Sequence, residues 1–372
     1  VPGPPDDTRH MDRALALGRQ GLGNTWPNPA VGCVVVRDGR VVGEGWTQPG
    51  GRPHAERQAL DMAGAAAKGA TAYVTLEPCA HHGKTPPCTE ALIAAGIARV
   101  VAPFADADPR VSGQGFARLR EAGIAVETGI GTDAAAHDHA GFFCRLSSGR
   151  PLVTLKLATS LDGRIATANG DSQWITGAET RAGVHRLRAC HDAVLVGAGT
   201  VRADDPLLTV RGIDVPRQPV RIVVSRRLDM PTDGRLGQTL DQAPVWLCHS
   251  DDAPIDAREA WSGIGAKLLH LPLDGRQVDI AALMQRLGRE GLTRVLCEGG
   301  GELAASLIAA DLVDRLEVHM GGVIIGAEGR PALGALGLDR LSDAPRFALC
   351  DLWKSGDDVV QSWVRQRRQI HA

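Results

Sequence analysis

Short apolar runs alternate along the whole chain with segments of helical period, the pattern of an α/β protein. AVGCVVV (Ala30–Val36) and RVVGEGW (Arg40–Trp46) flank Asp38-Gly39. An Asp-Gly between two strand-like runs predicts a tight hairpin. Met11 to about Gln20 predicts a helix, and the Pro- and Asp-rich residues 1–10 predict a loose lead-in. HAERQALDMAGAAA (His54–Ala67) predicts a helix, as does PPCTEALIAAG (Pro86–Gly96), with Pro at its start and Gly at its end. TAYVTLE (Thr71–Glu77) and ARVVAPF (Ala98–Phe104) predict strands, and helix, strand and helix follow to about Leu146. SSGRP (Ser147–Pro151) predicts a short linker. Beyond it PLVTLKLA, DAVLVGA, VRIVVS, APVWLCH, KLLHLPL and TRVLCEGG predict buried strands. Helices are predicted around Thr180–Ala189, Ile280–Leu287 and Glu302–Ala309, and RLEVHMGGVII and DDVVQSWV add strand-like runs in the tail. The expected organisation is two α/β domains, residues 1–149 and 150–372.

Length and charge narrow the function. At about 150 residues per domain, 372 residues suit two or three domains. Lys and Arg number 41 against 43 Asp and Glu, so there is no basic excess of the kind that coats nucleic acid or binds membrane surfaces. Aromatic residues make up 3% of the chain, with a single Tyr, which argues against base-stacking platforms for single strands. No uncharged apolar run reaches the roughly 18 residues of a membrane helix. VPGPPDDTRH lacks the apolar core of a signal peptide. The expectation is a cytoplasmic protein acting on a small molecule, with neither a nucleic acid nor a membrane as partner.

Eight cysteines in a chain of this size, with no export signal, point to thiols or metal ligands before disulfides. Cys33, Cys144, Cys190, Cys248, Cys297 and Cys350 are scattered singly and are read as buried thiols. Cys79 and Cys88 differ. Cys79 follows a predicted strand through Pro78, and Cys88 opens a predicted helix after Pro86-Pro87, where the helix dipole favours a thiolate. With His54, at the head of another helix, they supply one imidazole and two thiolates, the ligand set of a catalytic zinc that keeps one position open for water. Glu56, two residues past His54, is placed to move a proton from water to a leaving amine. This is the H-x-E … P-C … C logic of zinc nucleobase deaminases, except that PCAHHGKTPPC separates the thiols by more than the usual two residues. The alternative is a structural zinc held by Cys79, Cys88, His81 and His82.

In the second half VGAGTVRADDP has G-x-G-x-x-R without a third glycine, a weak dinucleotide signal. EGGGEL (Glu298–Leu303) ends one strand and starts a helix, where backbone N–H groups can cradle a phosphate, or simply make a tight turn. The stretch Arg181–Arg235 is rich in arginine, which suits phosphorylated ligands or a solvated face.

These segments closely resemble the bifunctional riboflavin-biosynthesis deaminase/reductase family. In the first half the matching stretches are NPAVGCVVV, GEGW, HAE, AYVTLEPCAHHGKTPPCTEALI and VSGQGF. In the second half they are LKLATSLDGRIA, GDSQWIT, LVGAGTVRADDPLLTVR and EGGGEL. The long loop between the cysteines is the family's own variant. The resemblance implies a cytidine-deaminase-like three-layer domain followed by a dihydrofolate-reductase-like α/β domain, with one Zn2+ per chain and NADPH. It implies that His54, Cys79 and Cys88 hold zinc and that Glu56 shuttles protons. Asn28, His82, Lys84 and Thr85 are implied substrate neighbours in the deaminase half. In the reductase half the implied NADPH contacts are Ala158, Trp174, Thr200, Asp204, Gly300, Gly301 and Glu302, with Ser225, or Arg226 beside it, where the family often has Asp. Lys156, Ser172, Arg188, Leu208, Arg211 and Glu298 are implied substrate contacts, Arg188 and Arg211 for its phosphate. Asp204 is also a candidate acid/base group for sugar opening. Against these contacts stand a turn role for Asn28, solvation for Lys84, buried-strand roles for Ala158 and Leu208, and core packing for Trp174.

The implied reactions are hydrolytic deamination of a diaminopyrimidinone ribosyl phosphate, with zinc activating the water, and NADPH reduction of the ribosyl to a ribityl chain. The family's reductase halves commonly pair, so a homo-oligomer through that domain is expected. Three rivals predict other things. A nucleic-acid deaminase with an appended binding domain predicts a basic patch. A zinc-stabilised binding module predicts that Glu56→Gln is silent. A chain with one degenerate domain predicts a single activity.

Overall fold

The computed structural model describes residues 5–82, 86–108 and 112–366. The chain divides into two compact units, Val1–Gly149 and Arg150–Ala372.

The first unit runs α1 (Pro5–Arg19), β1 (Gly32–Arg37), β2 (Arg40–Trp46), α2 (Ala55–Ala63), β3 (Thr71–Val74), α3 (Cys88–Ala94), β4 (Arg99–Ala102), α4 (Gln114–Glu121), β5 (Ala125–Thr128) and α5 (Thr132–Ser148). Its sheet has the order β2-β1-β3-β4-β5. The strand β1 is antiparallel to both neighbours, while β3, β4 and β5 are parallel. Asp38 and Gly39 both take positive φ at the hairpin, as a primed turn requires. The period of two then sorts β1 onto two cores. Cys33 and Val35 pack with Ala59 of α2 and Leu92 of α3; Val34 and Val36 pack with Met11 and Leu15 of α1 and Ala135 of α5. Helices therefore cover both sheet faces, in three layers.

The second unit runs β6 (Leu152–Thr159), β7 (Arg164–Ala166), α6 (Ala178–Ala189), β8 (Ala193–Gly197), α7 (Ala198–Asp204), β9 (Val220–Val224), α8 (Arg235–Gln238), β10 (Val245–His249), α9 (Ile255–Gly263), β11 (Lys267–His270), β12 (Leu273–Asp274), β13 (Gln277–Val278), α10 (Ile280–Arg289), β14 (Arg294–Cys297), α11 (Gly301–Ala309), β15 (Arg315–Met320), β16 (Arg330–Pro331), β17 (Phe347–Ser355) and β18 (Asp358–Arg365). The main sheet has the order β11-β10-β9-β8-β14-β6-β15-β18-β17. It is parallel from β11 to β15, and β18 and β17 close it antiparallel. The central parallel strands β8, β9, β10 and β14 are almost wholly buried, as strands covered on both faces are, whereas β11 at the edge and β15 are not. Asp192, buried before β8, accepts the N–H groups of Thr293 at 2.6 Å and Arg294 at 2.9 Å, and so sets the start of β14.

Several expectations are corrected. The predicted loose start is helical from Pro5, because a long-range contact holds it: buried Asp7 accepts from Arg99 at 2.7 and 3.0 Å and from the Tyr73 hydroxyl at 2.5 Å. The helix α5 runs through Ser148, so Ser147 and Ser148 are not linker. VGAGTVRADDP is the end of β8 followed directly by α7, and its residues Gly197–Thr200 line the cavity of the second unit. Leu208 lies outside the strands, at φ 56°. Cys350 is exposed, and Cys144 and Cys190 are half-buried. The helix α9 and strand β17 were not foreseen, and β17 is exposed over most of its length. Among the described residues no helix is long and apolar enough to cross a membrane.

Candidate active sites of the two units

In the first unit the metal-type ligands converge from three chain segments. His54 is the N-cap residue of α2, Cys79 follows β3, and Cys88 is the first residue of α3. His54 Nδ1 lies 3.3 Å from Cys88 Sγ and 3.8 Å from Cys79 Sγ, and the three donor atoms all fall within 4.8 Å of one another. Tetrahedral zinc with Zn–S near 2.3 Å and Zn–N near 2.0 Å needs ligand–ligand separations of about 3.5–3.8 Å. The donor set and its spacing therefore fit Zn2+. Among the described residues His81 and His82 are not in the cluster. His82 is largely exposed and sits 3.4 Å from Glu90, which removes the structural four-ligand alternative. Lys84 and Thr85 lie outside the described residues.

The local backbone explains the convergence. The Cys88 N–H donates to Cys79 Sγ at 3.3 Å, and the Thr89 N–H and hydroxyl both donate to the Cys79 carbonyl. Hydrogen bonds from Cys88 and His54 hold the Cys79 thiol low, while that neighbouring thiol and burial push Cys88 up. The hydrogen bond to Cys79 raises the His54 pKa against the opposing effect of burial. Glu56 is 4% exposed in the first turn of α2. Burial pushes its carboxyl up, as suits a group that takes a proton and gives it back.

Asn28 lies in the turn before β1, half-buried. Its amide packs on Gly51, which has φ +85°, and a Cβ there would stand 1.8 Å from Asn28 Nδ2. Only glycine lets these two turns meet. Glu77 was passed over in the sequence. Its buried carboxylate accepts N–H groups from Asp106, Gly113 and Phe116 at 2.8–3.0 Å, which anchors the segment leading into Pro78 and Cys79. The one sequence signal was a charged residue between an apolar strand and Pro-Cys.

In the second unit a cavity of about 1180 Å³ opens at the carboxyl ends of the parallel strands, where ligands bind in open α/β sheets. Lys156, Ala158, Ser172, Trp174, Thr200, Asp204, Glu298, Gly300, Gly301 and Glu302 all line it, and so does Ser225. Trp174 is 67% exposed, with the Arg181 guanidinium 4.3 Å from its ring centre, so it is not a core residue. Ala158 is a strand residue that nevertheless faces the cavity. Ser225 donates to Asp229 at 3.1 Å. The Gly299–Gly301 turn is shaped by absent side chains: a Cβ on Gly299 would stand 2.9 Å from Thr200 Oγ1, and Gly300 has φ +83°. Its N–H groups open α11 beside the cavity and fit the phosphates of a dinucleotide.

Arg188, Leu208 and Arg211 stand outside the cavity lining. Arg188 joins it through a two-point ion pair with Glu298, at 2.5 and 2.8 Å, with both side chains nearly buried. Burial alone would raise the Glu298 pKa, but Arg188 and Lys156 overcome it and keep the carboxylate charged. Burial lowers the Lys156 pKa, and desolvation raises that of Asp204. Leu208 is 2% exposed, whereas Arg211 is exposed.

Both units have known counterparts. Residues 4–103 match the family "Cytidine and deoxycytidylate deaminase zinc-binding region", and residues 151–361 match the "RibD C-terminal domain". The riboflavin biosynthesis protein RibD of Escherichia coli is 44% identical over 365 residues, covering 95% of this chain and 98% of that protein. Its Haemophilus influenzae counterpart is 40% identical, covering 96% and 97%. Acinetobacter baumannii RibD superposes with a TM-score of 0.87 at 37% identity, covering 97% of this chain and 99% of that one. A diaminohydroxyphosphoribosylaminopyrimidine deaminase/5-amino-6-(5-phosphoribosylamino)uracil reductase from Thermotoga maritima superposes with a TM-score of 0.84 at 34% identity, covering 97% and 99%.

Proposed function

The chain belongs to the RibD family of bifunctional riboflavin-biosynthesis enzymes, and from that premise we propose which of its residues perform the deamination and the reduction. The chain joins a cytidine-deaminase-like domain to an NADPH-dependent reductase domain, and it acts on a small molecule. The observation that carries the residue assignment is the cluster of His54, Cys79 and Cys88 donor atoms within 4.8 Å, with Glu56 buried two residues on.

When bound, zinc activates a water at neutral pH and NADPH supplies a hydride. His54, Cys79 and Cys88 hold the metal. Glu56 takes a proton from the attacking water on a carboxylate oxygen and returns it to the departing amine, which leaves as ammonia. Asn28, braced by Gly51, orients the pyrimidine beside His82. In the reductase unit Ala158, Trp174, Thr200, Ser225 and the Gly300–Glu302 turn hold NADPH. Asp204 handles the proton of sugar opening. Lys156, Ser172, Leu208, Glu298, Arg188 and Arg211 hold the ribosyl phosphate, the two arginines toward its phosphate.

The reductase unit also pairs with a second copy of the chain. The edge strand β17 leaves Leu349, Leu352 and Trp353 exposed, and an exposed apolar edge is a template for pairing. A cytoplasmic location suits an enzyme of this small-molecule chemistry; among the described residues no helix is long and apolar enough to cross a membrane.

A mass-resolved product assay tests the reading. Zinc-loaded protein meets the diaminopyrimidinone ribosyl phosphate with and without NADPH. Deamination without NADPH, and the ribityl product only with it, is the expected result. Substrate returned unchanged from both tubes would refute it.

A further inference from the structure

The loop Leu207–Arg211 carries two of the proposed substrate contacts and belongs to no helix or strand. Its backbone is nevertheless held at almost every residue by a side chain from elsewhere. Arg221 donates to the Leu207 carbonyl at 3.4 Å, and Arg188 to the Thr209 carbonyl at 2.8 Å. The Gln218 amide makes both bonds to Val210: it accepts the N–H at 2.8 Å and donates to the carbonyl at 3.0 Å. The Arg211 N–H donates to His185 Nδ1 at 3.2 Å. Within the grip Leu208 adopts φ 56°, a conformation a branched side chain keeps only where its surroundings impose it.

We propose that Gln218 and His185 are positioning residues for the sugar-phosphate substrate of the reductase: they fix the backbone of Val210 and Arg211 so that Leu208 and Arg211 are presented in one geometry. Gln218 takes the place of a neighbouring strand, offering one donor and one acceptor to a residue that has no ladder partner. His185 fixes the next amide, and its bond needs the imidazole lone pair on Nδ1. Both reach the loop through hydrogen bonds to its backbone, and in this proposal they act through it. A loop displaced by 1 Å loses binding without any loss of contact residues. The inference rests on the reading that Leu208 and Arg211 contact the substrate.

The test is steady-state reductase kinetics of the full zinc-loaded chain with the deaminated ribosylaminopyrimidine phosphate, for Gln218→Ala, Gln218→Glu, His185→Phe and Arg211→Ala. Removing the clamp bonds is expected to raise KM for the sugar phosphate about tenfold. KM for NADPH and the deaminase rate of the same chain stay unchanged. Gln218→Glu keeps the acceptor for the Val210 N–H but sets a carboxylate oxygen against the Val210 carbonyl, and is expected to raise the substrate KM as well. If Arg211→Ala raises the substrate KM and Gln218→Ala and His185→Phe do not, the clamp is refuted and the contact assignment survives. An unchanged substrate KM in Arg211→Ala overturns both. KM values for substrate and NADPH that rise together, with a lowered melting temperature, make Gln218 merely structural and also overturn the proposal.

Discussion

At Glu56 a carboxylate sits 4% exposed beside two thiols and an imidazole. A purely structural metal site has no use for a carboxyl group buried there, since burial penalises its charged form. Glu56→Gln keeps the shape and removes the proton carrier. The expected result is a fall in ammonia release of about 10²–10⁴-fold, with the zinc content of the purified protein unchanged. A loss of zinc in step with activity would make Glu56 a ligand or a scaffold instead. In the other unit Glu298 is fixed by Arg188. Glu298→Gln leaves a nearly buried guanidinium without its counter-charge, which costs about 3–5 kcal/mol. The reductase unit's urea midpoint should fall accordingly, and reductase activity with it. A variant of wild-type stability would show that water already screens the pair.

Elements were legible where their signals were local. The Asp38-Gly39 hairpin, the helix between Pro87 and Gly96, and the parallel strands of the second unit carry their turn residues or apolar runs within a few positions. Elements set by distant contacts were not. The start of α1 depends on Arg99, 92 positions from Asp7; α7 hides in a glycine-rich stretch; β17 shows no clean alternation because it lies on an edge with much of its surface exposed. The sites divide in the same way. His54, Glu56, Cys79 and Cys88 sit in short local motifs, HAE, EPC and PPC, whereas Glu77 and Gln218 bond backbone atoms, which leave no mark on sequence.

One connection between elements has a pH signature. His191, after α6, places Nδ1 2.7 Å from the Leu187 carbonyl and Nε2 2.9 Å from the Thr154 hydroxyl on β6. The carbonyl can only accept, so Nδ1 carries the proton and Nε2 accepts from Thr154. The ring is neutral, and burial pulls its pKa from 6.5 to about 3. Between those values the unfolded chain binds the extra proton, so stability is full above about pH 6.5 and falls as pH drops, by about 1.4 kcal/mol per unit. Burial likewise lowers His319 to about 4, and it adds to the slope. Urea midpoints of the reductase unit at pH 7 and pH 5 should differ, and His191→Gln should reduce that difference. An equal difference in the variant would place the acid sensitivity elsewhere.

Across the whole molecule, on the proposed assignment, the two chemistries fall to different residues in different units. The metal-type donors come from His54, Cys79 and Cys88, all within Val1–Gly149. Among the described residues the lining of the dinucleotide-sized cavity runs from Lys156 to Gly334, within Arg150–Ala372. Each unit also has buried apolar residues of its own. Stripping zinc with a chelator should therefore stop ammonia release while NADPH oxidation on already deaminated substrate continues at an undiminished rate. Free Cys79 and Cys88 would then label with a thiol reagent that the metal-loaded protein resists. Restoring Zn2+ should recover deamination, because the Cys88 N–H and Thr89 contacts to Cys79 keep the ligands arranged without it. If chelation slows hydride transfer as well, the reductase unit needs the metal-loaded first unit to work, and the division of labour drawn from the residues is wrong.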